Sequence, residues 1–256
     1  MAVLREALTK AGLASDGVLL VEDTSHESAL EFMRLRGVID CLIPRAGRQL
    51  IDLLVEHATV PYVLDGDGNC HVYVDESADL AMATEIVANA KMQRPGVCNA
   101  AESLLVHRAV AARFLPMVAR VLDGVELRAD PGVLAILPNA TPATEADFAT
   151  EFLGPCLAVA VVADLGAAIA HIDRFSSGHS EAIVTTDIAS ADRFVREVDA
   201  AAVLVNASTR FVDGGELGLG AEVGISTQKL HARGPMGVRE LTCAKWVVWG
   251  EGQVRR

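Results

Sequence analysis

The 256-residue chain is poor in aromatic residues and in basic charge, which excludes several classes of protein. Aromatic side chains make up only 4% of the residues, so the core has to be built from Ala, Val, Leu and Ile. The formal net charge of -12 gives no general attraction for nucleic acid or an anionic membrane, and we expect neither as a partner. The most apolar stretch, "CLAVAVVADLGAAIA", contains an aspartate and is too short to span a bilayer comfortably.

The chain also lacks the patterns of a disulfide framework and of a metal site. Its five cysteines are an odd number without a CxxC pair, which favours a reducing compartment. Its seven histidines are scattered without HxxxH spacing or a Cys/His cluster, so no bound metal is predicted. The N-terminal "MAVLREALTKAGL" is typical of an amphipathic helix and not of a signal peptide. These features predict a cytoplasmic protein.

Helical and strand patterns alternate along the chain, which predicts an α/β fold with parallel strands. The predicted strands are 17–23, 38–44, 60–64, 71–75, 103–107, 157–162, 181–186 and 201–206. The predicted helices are 3–13, 26–37, 47–58, 77–93, 109–122, 165–175 and 189–200. A long segment rich in Gly and polar residues follows, and a strand-like stretch, 244–250, lies near the C-terminus.

The segment "KMQRPGVCNAAESLLVHR" places Cys98 where a nucleophilic thiol would be useful. Pro95 and Gly96 interrupt the preceding helix, and "CNAAESLL" can begin a short helix with Cys98 in its first turn. A helix N-terminus favours a thiolate, and the N–H groups around Cys98 and Asn99 could stabilise an oxyanion. This chemistry suits acyl transfer through a thioester. On spacing alone, a buried and inert cysteine is the commoner outcome.

The second part of the Gly-rich segment is locally basic in an acidic chain. Between residues 226 and 239 it contains no acid and four side chains that carry or can carry positive charge: Lys229, His231, Arg233 and Arg239. This excess indicates an anion site, and the alternative is an ordinary solvated loop. The nearby "GLGAEVG" does not match GxGxxG and follows no strand-to-helix context, so we do not interpret it as a phosphate loop.

Five stretches together resemble a known family. They are "GDGNCHVYVDESADL", "AKMQRPGVCNAAESLLVH", "EFLGP", "SGHSEAIVT" and "VNASTRFVDGGELGLGAEVGISTQKLHARGPMGVRELT". They resemble the γ-glutamyl phosphate reductase family of the aldehyde dehydrogenase superfamily, from about Leu19 to the C-terminus. The last stretch is specific to that family.

The resemblance implies an aldehyde dehydrogenase-like α/β fold with a partial Rossmann-like cofactor domain and an α/β catalytic domain. Residues 1–88 would be the second half of the cofactor domain, and residues 89–206 the catalytic domain. Residues 207–256 would form the substrate loop, the return to the cofactor domain and an oligomerisation strand. The implied reaction is NADPH-dependent reduction of L-glutamate 5-phosphate to L-glutamate 5-semialdehyde in proline biosynthesis. A homo-oligomer when full length and glutamate 5-kinase are the implied protein partners.

The resemblance also assigns roles to individual residues. Cys98 occupies the position of the nucleophile, and Glu151 in "EFLGP" that of the glutamate holding the nicotinamide ribose; the alternative for Glu151 is a surface helix cap. Asp65 lies near the position of a general base that a reductase has to avoid. Lys229 and Arg233 fit capture of the substrate's phosphate or α-carboxylate, an inference from charge.

Relatives in the family carry a large N-terminal region before the part that corresponds to this chain, so a truncated chain is expected. The alternative function is therefore a catalytically incompetent remnant that acts as a binding or oligomerisation module. A third reading, a cysteine hydrolase, needs a histidine paired with Cys98. The sequence offers His107 or His179 for that role, without a motif.

Overall fold

The computed structural model describes residues 1–45 and 47–255; residue 256, the last of the predicted segment 207–256, lies outside them. The chain divides into two compact units, Met1–Val63 and Leu64–Arg256. The predicted division into 1–88, 89–206 and 207–256 concerns function and stays a prediction. In the described ranges, every helix is too short or too polar to cross a membrane.

The first unit contains the three helices expected there. They are α1 (Ala2–Lys10), α2 (His26–Phe32) and α3 (Arg48–His57). The side chain of Ser25 accepts a hydrogen bond from the Ser28 N–H and so caps the start of α2.

The predictions of strands at 17–23, 38–44 and 60–64 are wrong, because no regular strand forms in these ranges. The described residues of this unit form only isolated bridges, Arg36 with Ile39 and Leu42 with Tyr62. A lone pair of strands is marginal in water, because stable sheets need several neighbouring strands over an apolar face. Leu19 and Leu20, at the centre of the first predicted strand, accordingly remain exposed.

The second unit is built on a seven-stranded parallel sheet, which confirms the predicted fold class. The strand order is β4-β3-β5-β2-β1-β6-β7. The strands are β1 (Cys70–Val74), β2 (Ala101–His107), β3 (Glu126–Ala129), β4 (Thr141–Pro142), β5 (Cys156–Val162), β6 (Ser180–Val184) and β7 (Ala202–Val205). All but the short β3 and β4 were predicted; neither of these two is an apolar run, so their pattern carried no strand signature.

Helices cover both faces of this sheet. They are α4 (Leu80–Met92), α5 (Arg108–Val121), α6 (Pro131–Leu134), α7 (Glu145–Phe148), α8 (Leu165–Phe175) and α9 (Ile188–Glu197). Val72 and Val74 of β1 pack in one apolar cluster with Phe114 of α5. Tyr73, between them in sequence, packs in a second cluster with Phe194 of α9. Because side chains alternate along a strand, the two clusters are the two faces of the sheet.

The Gly-rich segment is more regular than its sequence predicted, and the C-terminal stretch is less so. A 3₁₀ turn at Thr209–Phe211 is followed by an antiparallel pair, β8 (Gly224–Ser226) and β9 (Gly234–Met236). The stretch 244–250 has no regular structure in this single chain, and Trp246 and Trp249 are 97% and 94% exposed, so the oligomerisation strand expected there stays a prediction. A strand forms only against a neighbour that supplies the other half of its hydrogen bonds, which the described chain does not offer here.

His179, fully buried at the start of β6, should make the chain sensitive to acid. Burial lowers the pKa of His179 from 6.5 to about 4. Between these values the unfolded chain binds a proton that the folded chain excludes, so this stability is present above pH 6.5 and lost as the pH falls towards 4. As the pH falls over this range, the free energy of unfolding of the wild-type chain should decrease by about 3 kcal/mol more than that of His179→Gln.

Urea unfolding at a series of pH values measures this difference. His26→Gln, at an exposed position of α2, is the matched control and should keep the pH dependence of the wild-type chain. An unchanged pH dependence in His179→Gln would contradict the assignment.

Candidate active site around Cys98

Cys98 lies half-buried in the turn between α4 and β2. The short helix predicted at "CNAAESLL" is wrong, because Ala101–His107 is a strand with all seven residues buried. This strand pairs with β1 on one side and β5 on the other, and those two sets of hydrogen bonds outweigh the local helical propensity. The argument that a helix dipole stabilises the thiolate therefore does not apply to this turn.

The backbone of the Cys98 turn is pressed against Gly68. A Cβ atom on Gly68 would lie 1.6 Å from the carbonyl oxygen of Cys98 and 2.3 Å from its carbonyl carbon. The thiol of the fully buried Cys70 donates a hydrogen bond to the same carbonyl oxygen, with Sγ and O 3.2 Å apart. Only glycine at position 68 allows the two segments to approach this closely.

The same glycine holds Glu151. The Gly68 N–H donates a hydrogen bond to Oε1 of Glu151 across 2.7 Å. Burial raises the pKa of the Glu151 carboxyl, and the hydrogen bond from Gly68 acts in the opposite direction. Glu151 follows α7 in an irregular segment, so it does not cap a helix. Cys98 and Glu151 are 53 positions apart in the sequence, and in the structure both contact Gly68.

A buried ion pair that the sequence analysis missed lies beside this group. Lys91 Nζ is 2.5 Å from Glu102 Oε2, and both side chains are 0% exposed. The other oxygen of Glu102 accepts the Leu153 N–H at 3.1 Å, and Leu153 has a left-handed φ of 52°. Burial raises the pKa of Glu102 to about 7, although the Lys91 charge acts against this rise. The pair therefore fixes the backbone of "EFLGP" two residues after Glu151.

The side chain of Asn99 faces the segment after β7. Its Nδ2 donates to the Val212 carbonyl oxygen at 2.8 Å, and its Oδ1 accepts a hydrogen bond from Arg210 Nη1. Asn99 is buried, and its contact with Val212 is buried while that with Arg210 is partly buried. Its predicted catalytic role rests on the main-chain N–H and stays a prediction. Arg210 was not singled out from sequence, since nothing local ties it to Cys98.

Lys229 and Arg233 meet at a single carboxylate. Arg233 Nη2 is 2.8 Å from Asp199 Oδ1, and Lys229 Nζ binds Asp199 Oδ2. These hydrogen bonds, that of Lys229 first, lower the pKa of Asp199. The sequence window that indicated an anion site contains no acid, and Asp199 supplies one from outside it. Binding of substrate by Lys229 and Arg233 stays a prediction.

The remaining candidates have structural partners. Asp65 Oδ1 accepts a hydrogen bond from the Ile225 N–H at 2.7 Å, so this carboxylate binds the backbone at the start of β8. His107 Nδ1 accepts the Ala109 N–H and caps α5. The ring of His179 lies 2.8 Å from Ser180 Oγ and 3.7 Å from Cys70 Sγ. None of these contacts joins a histidine to Cys98, as a hydrolase would need.

Comparison with known proteins agrees with this fold. A model of the aldehyde dehydrogenase family matches residues 129–247. The chain is 56% identical over 255 residues to γ-glutamyl phosphate reductase of Carboxydothermus hydrogenoformans, covering 99% of this chain and 61% of that protein. The crystal structure of γ-glutamyl phosphate reductase from Thermotoga maritima superposes with a TM-score of 0.95 at 50% identity, covering 100% of this chain and 62% of the other.

A more distant structure shares the fold alone. It is an acetylating aldehyde dehydrogenase from Geobacillus thermoglucosidasius, with a TM-score of 0.78, 18% identity, and coverage of 100% of this chain and 66% of that one. The fold is therefore that of the aldehyde dehydrogenases. Over nearly its whole length, the chain is similar to γ-glutamyl phosphate reductases. It spans 61% of the length of its relative from Carboxydothermus hydrogenoformans.

Gly68→Ala tests the close approach at the centre of the site. The added methyl group would overlap the Cys98 carbonyl, so the two segments have to separate. We expect a loss of about 1–3 kcal/mol in the free energy of unfolding. Amide hydrogen exchange of residues 66–70 should also become faster, because the bond to Glu151 is lost. Gly96→Ala is the matched control, since its Cβ would meet nothing nearer than 3.6 Å. Equal stability of the two variants would contradict the analysis.

Lys91→Met tests the buried ion pair. Without the lysine, the pKa of Glu102 should rise further above its unfolded value of 4.5. The folded chain then holds a proton that the unfolded chain releases, so the free energy of unfolding falls as the pH rises. We expect a loss of about 3–5 kcal/mol at pH 8 and a smaller loss at pH 5.

Denaturant unfolding at the two pH values measures this difference. Lys10→Met, which removes only an exposed pair with Glu6, should cost at most about 0.5 kcal/mol at either pH. Equal losses for Lys91→Met at both pH values would show that Glu102 does not carry the effect.

Proposed function

We propose that this chain carries the catalytic site of an NADPH-dependent reductase that converts L-glutamate 5-phosphate into L-glutamate 5-semialdehyde and phosphate. The observation that carries the proposal is the convergence of Cys98 and Glu151 on Gly68, in a chain similar to γ-glutamyl phosphate reductases. A nucleophile alone would fit many reactions. A cysteine whose backbone contacts the same glycine that binds a carboxylate suited to a ribose fits reduction of an acyl group.

The chemistry begins at the sulfur of Cys98. As a thiolate it attacks the carbonyl carbon of the acyl phosphate, a C–S bond forms, the C–O bond to phosphorus breaks, and phosphate leaves with the electron pair. The main-chain N–H groups around Cys98 and Asn99 stabilise the oxyanion formed during attack. NADPH, when bound, supplies the hydride that reduces the resulting thioester. The thiohemiacetal then collapses: the C–S bond breaks, sulfur regains its electron pair, and the aldehyde leaves.

Glu151 fits the role of holding the nicotinamide ribose. Its Oε1 is engaged by Gly68, while Oε2 makes no hydrogen bond within the part of the chain that the structure describes. A half-buried carboxylate oxygen of this kind can accept a hydrogen bond from a ribose hydroxyl, as acidic residues do in dinucleotide sites. The Lys91–Glu102 pair orients Glu151 through the Leu153 backbone.

The remaining assignments rest on charge and on the family resemblance. Lys229 and Arg233 bind the phosphate or the α-carboxylate of the substrate, for which they would exchange Asp199 for the ligand. The protein acts in the cytoplasm, forms a homo-oligomer when full length, and has glutamate 5-kinase as a partner. What supports the cytoplasm is the cysteine pattern, which favours a reducing compartment.

Cys98→Ser tests the proposal. The 256-residue chain is given L-glutamate 5-semialdehyde, phosphate and NADP⁺, and formation of NADPH is followed by absorbance. We expect Cys98→Ser to reduce turnover by at least about 10³-fold with an unchanged circular dichroism spectrum, because the thioester can no longer form.

Cys243→Ser, at an exposed cysteine far along the chain, is the control and should retain wild-type turnover. Turnover by Cys98→Ser at the wild-type rate would remove Cys98 from the mechanism. Failure of the wild-type chain to turn over would leave it a binding module.

A further inference from the structure

A small polar cavity lies next to the Cys98 turn. It has a volume of about 230 Å³ and is enclosed by α4 and the segment that follows β7. Its lining combines one guanidinium, two carboxylates, two carboxamides and one phenyl ring: Arg210, Asp213, Glu216, Asn89, Gln93 and Phe211. This volume is below the range of sites for drug-sized ligands, so the cavity suits a small charged group.

Arg210 connects the cavity to the catalytic turn. Its Nη1 donates to Asn99 Oδ1 and its Nε donates to Gln93 Oε1 at 2.7 Å. These two bonds use two of the five N–H donors of the guanidinium and leave the others for a ligand. Asn99 follows Cys98 directly in sequence, so Arg210 is fixed one residue from the nucleophile.

Arg210 differs from the other basic candidates in its direct partners. Its described partners are both neutral amides, and among the described residues it makes no ion pair with a carboxylate. Lys229 and Arg233, by contrast, share Asp199. Of these three cations, Arg210 alone is therefore without a direct ion pair among the described residues, and the two carboxylates that line the same cavity leave its donors available to a ligand.

The acidic side of the cavity supplies the opposite sign. Asp213 Oδ1 accepts the N–H groups of Gly215 and Glu216 at 2.8 and 3.2 Å, which fixes its carboxylate in the turn. Glu216 is exposed on the same wall. A site with a guanidinium and two carboxylates is complementary to a zwitterion, and not to a simple anion.

We propose that this cavity binds the α-amino-acid end of the acyl substrate, with Arg210 on the α-carboxylate and with Asp213 and Glu216 on the α-ammonium group. The inference rests on the proposed function, because that function makes the ligand a glutamyl derivative.

The test compares L-glutamate with glutarate, which lacks the α-ammonium group. Affinities are measured on the 256-residue chain by calorimetry, and protection of Cys98 from iodoacetamide is followed by mass spectrometry. We expect Arg210→Gln to weaken L-glutamate binding by about 10- to 150-fold, the effect of losing a charge-assisted contact. Arg210→Lys, which keeps the charge, should restore part of the affinity. Arg113→Lys, exposed on α5, is the matched control and should bind as the wild-type chain does.

Glu216→Gln gives a second measurement that does not disturb the buried turn. It should weaken binding of L-glutamate and leave glutarate binding unchanged, because glutarate presents no ammonium group. The proposal is overturned if Arg210→Gln binds L-glutamate with wild-type affinity. It is also overturned if Glu216→Gln weakens both ligands equally, or if the wild-type chain does not bind L-glutamate.

These affinities need neither cofactor nor turnover, so they are independent of the Cys98→Ser assay. If Cys98→Ser keeps its turnover while Arg210→Gln loses L-glutamate, the proposed chemistry fails and the binding site stands. The reverse result would remove the binding site and keep the chemistry.

Discussion

The candidate site depends on one backbone contact that only glycine permits. Gly68 lies so close to the Cys98 carbonyl that a Cβ atom would sit 1.6 Å from the oxygen, and its N–H holds the Glu151 carboxylate. One residue thus sets the position of the Cys98 backbone and of the Glu151 carboxylate. The strand that follows, β1, lies inside the parallel sheet between β2 and β6, so this contact is anchored in the most buried part of the second unit.

The Lys91–Glu102 pair supports the same arrangement from the other side. Two charges buried without water are costly, and a well-packed apolar pair of similar size would often be at least as stable. The ion pair adds a directional hydrogen bond. Glu102 accepts the Leu153 N–H and so fixes the left-handed backbone of Leu153, two positions after Glu151. The gain is in the placement of a functional loop, which an apolar pair cannot provide because it makes no directional bond.

The basic residues discussed above differ in their direct partners: some bind a carboxylate, and one binds only neutral amides. Lys229 and Arg233 are conspicuous in sequence because they share a segment without acids, yet in the structure Asp199 balances both. Arg210 has an unremarkable sequence context, and its described partners beside the catalytic turn are neutral amides. Local net charge along the chain therefore does not show which cations are paired in the fold, since the counter-charge arrives from a distant position.

The alternation of apolar runs and amphipathic helices was enough to predict the parallel α/β fold, because burial on both sides of a sheet leaves a continuous apolar signature in each strand, as in β2 and β6. Motifs around Cys98 and Glu151 were enough to show a resemblance to a known family. Sequence could not decide whether 17–23 or 244–250 forms a strand, because a strand exists only when a neighbour completes its hydrogen bonds.

Nor could the sequence pair Lys91 with Glu102 or Arg210 with Asn99, since each partner is set by how α4, β2 and the segment after β7 pack. The sequence by itself determined the fold class; tertiary packing alone decided which charges meet, because charges separated along the chain interact only once folding brings them within hydrogen-bond distance.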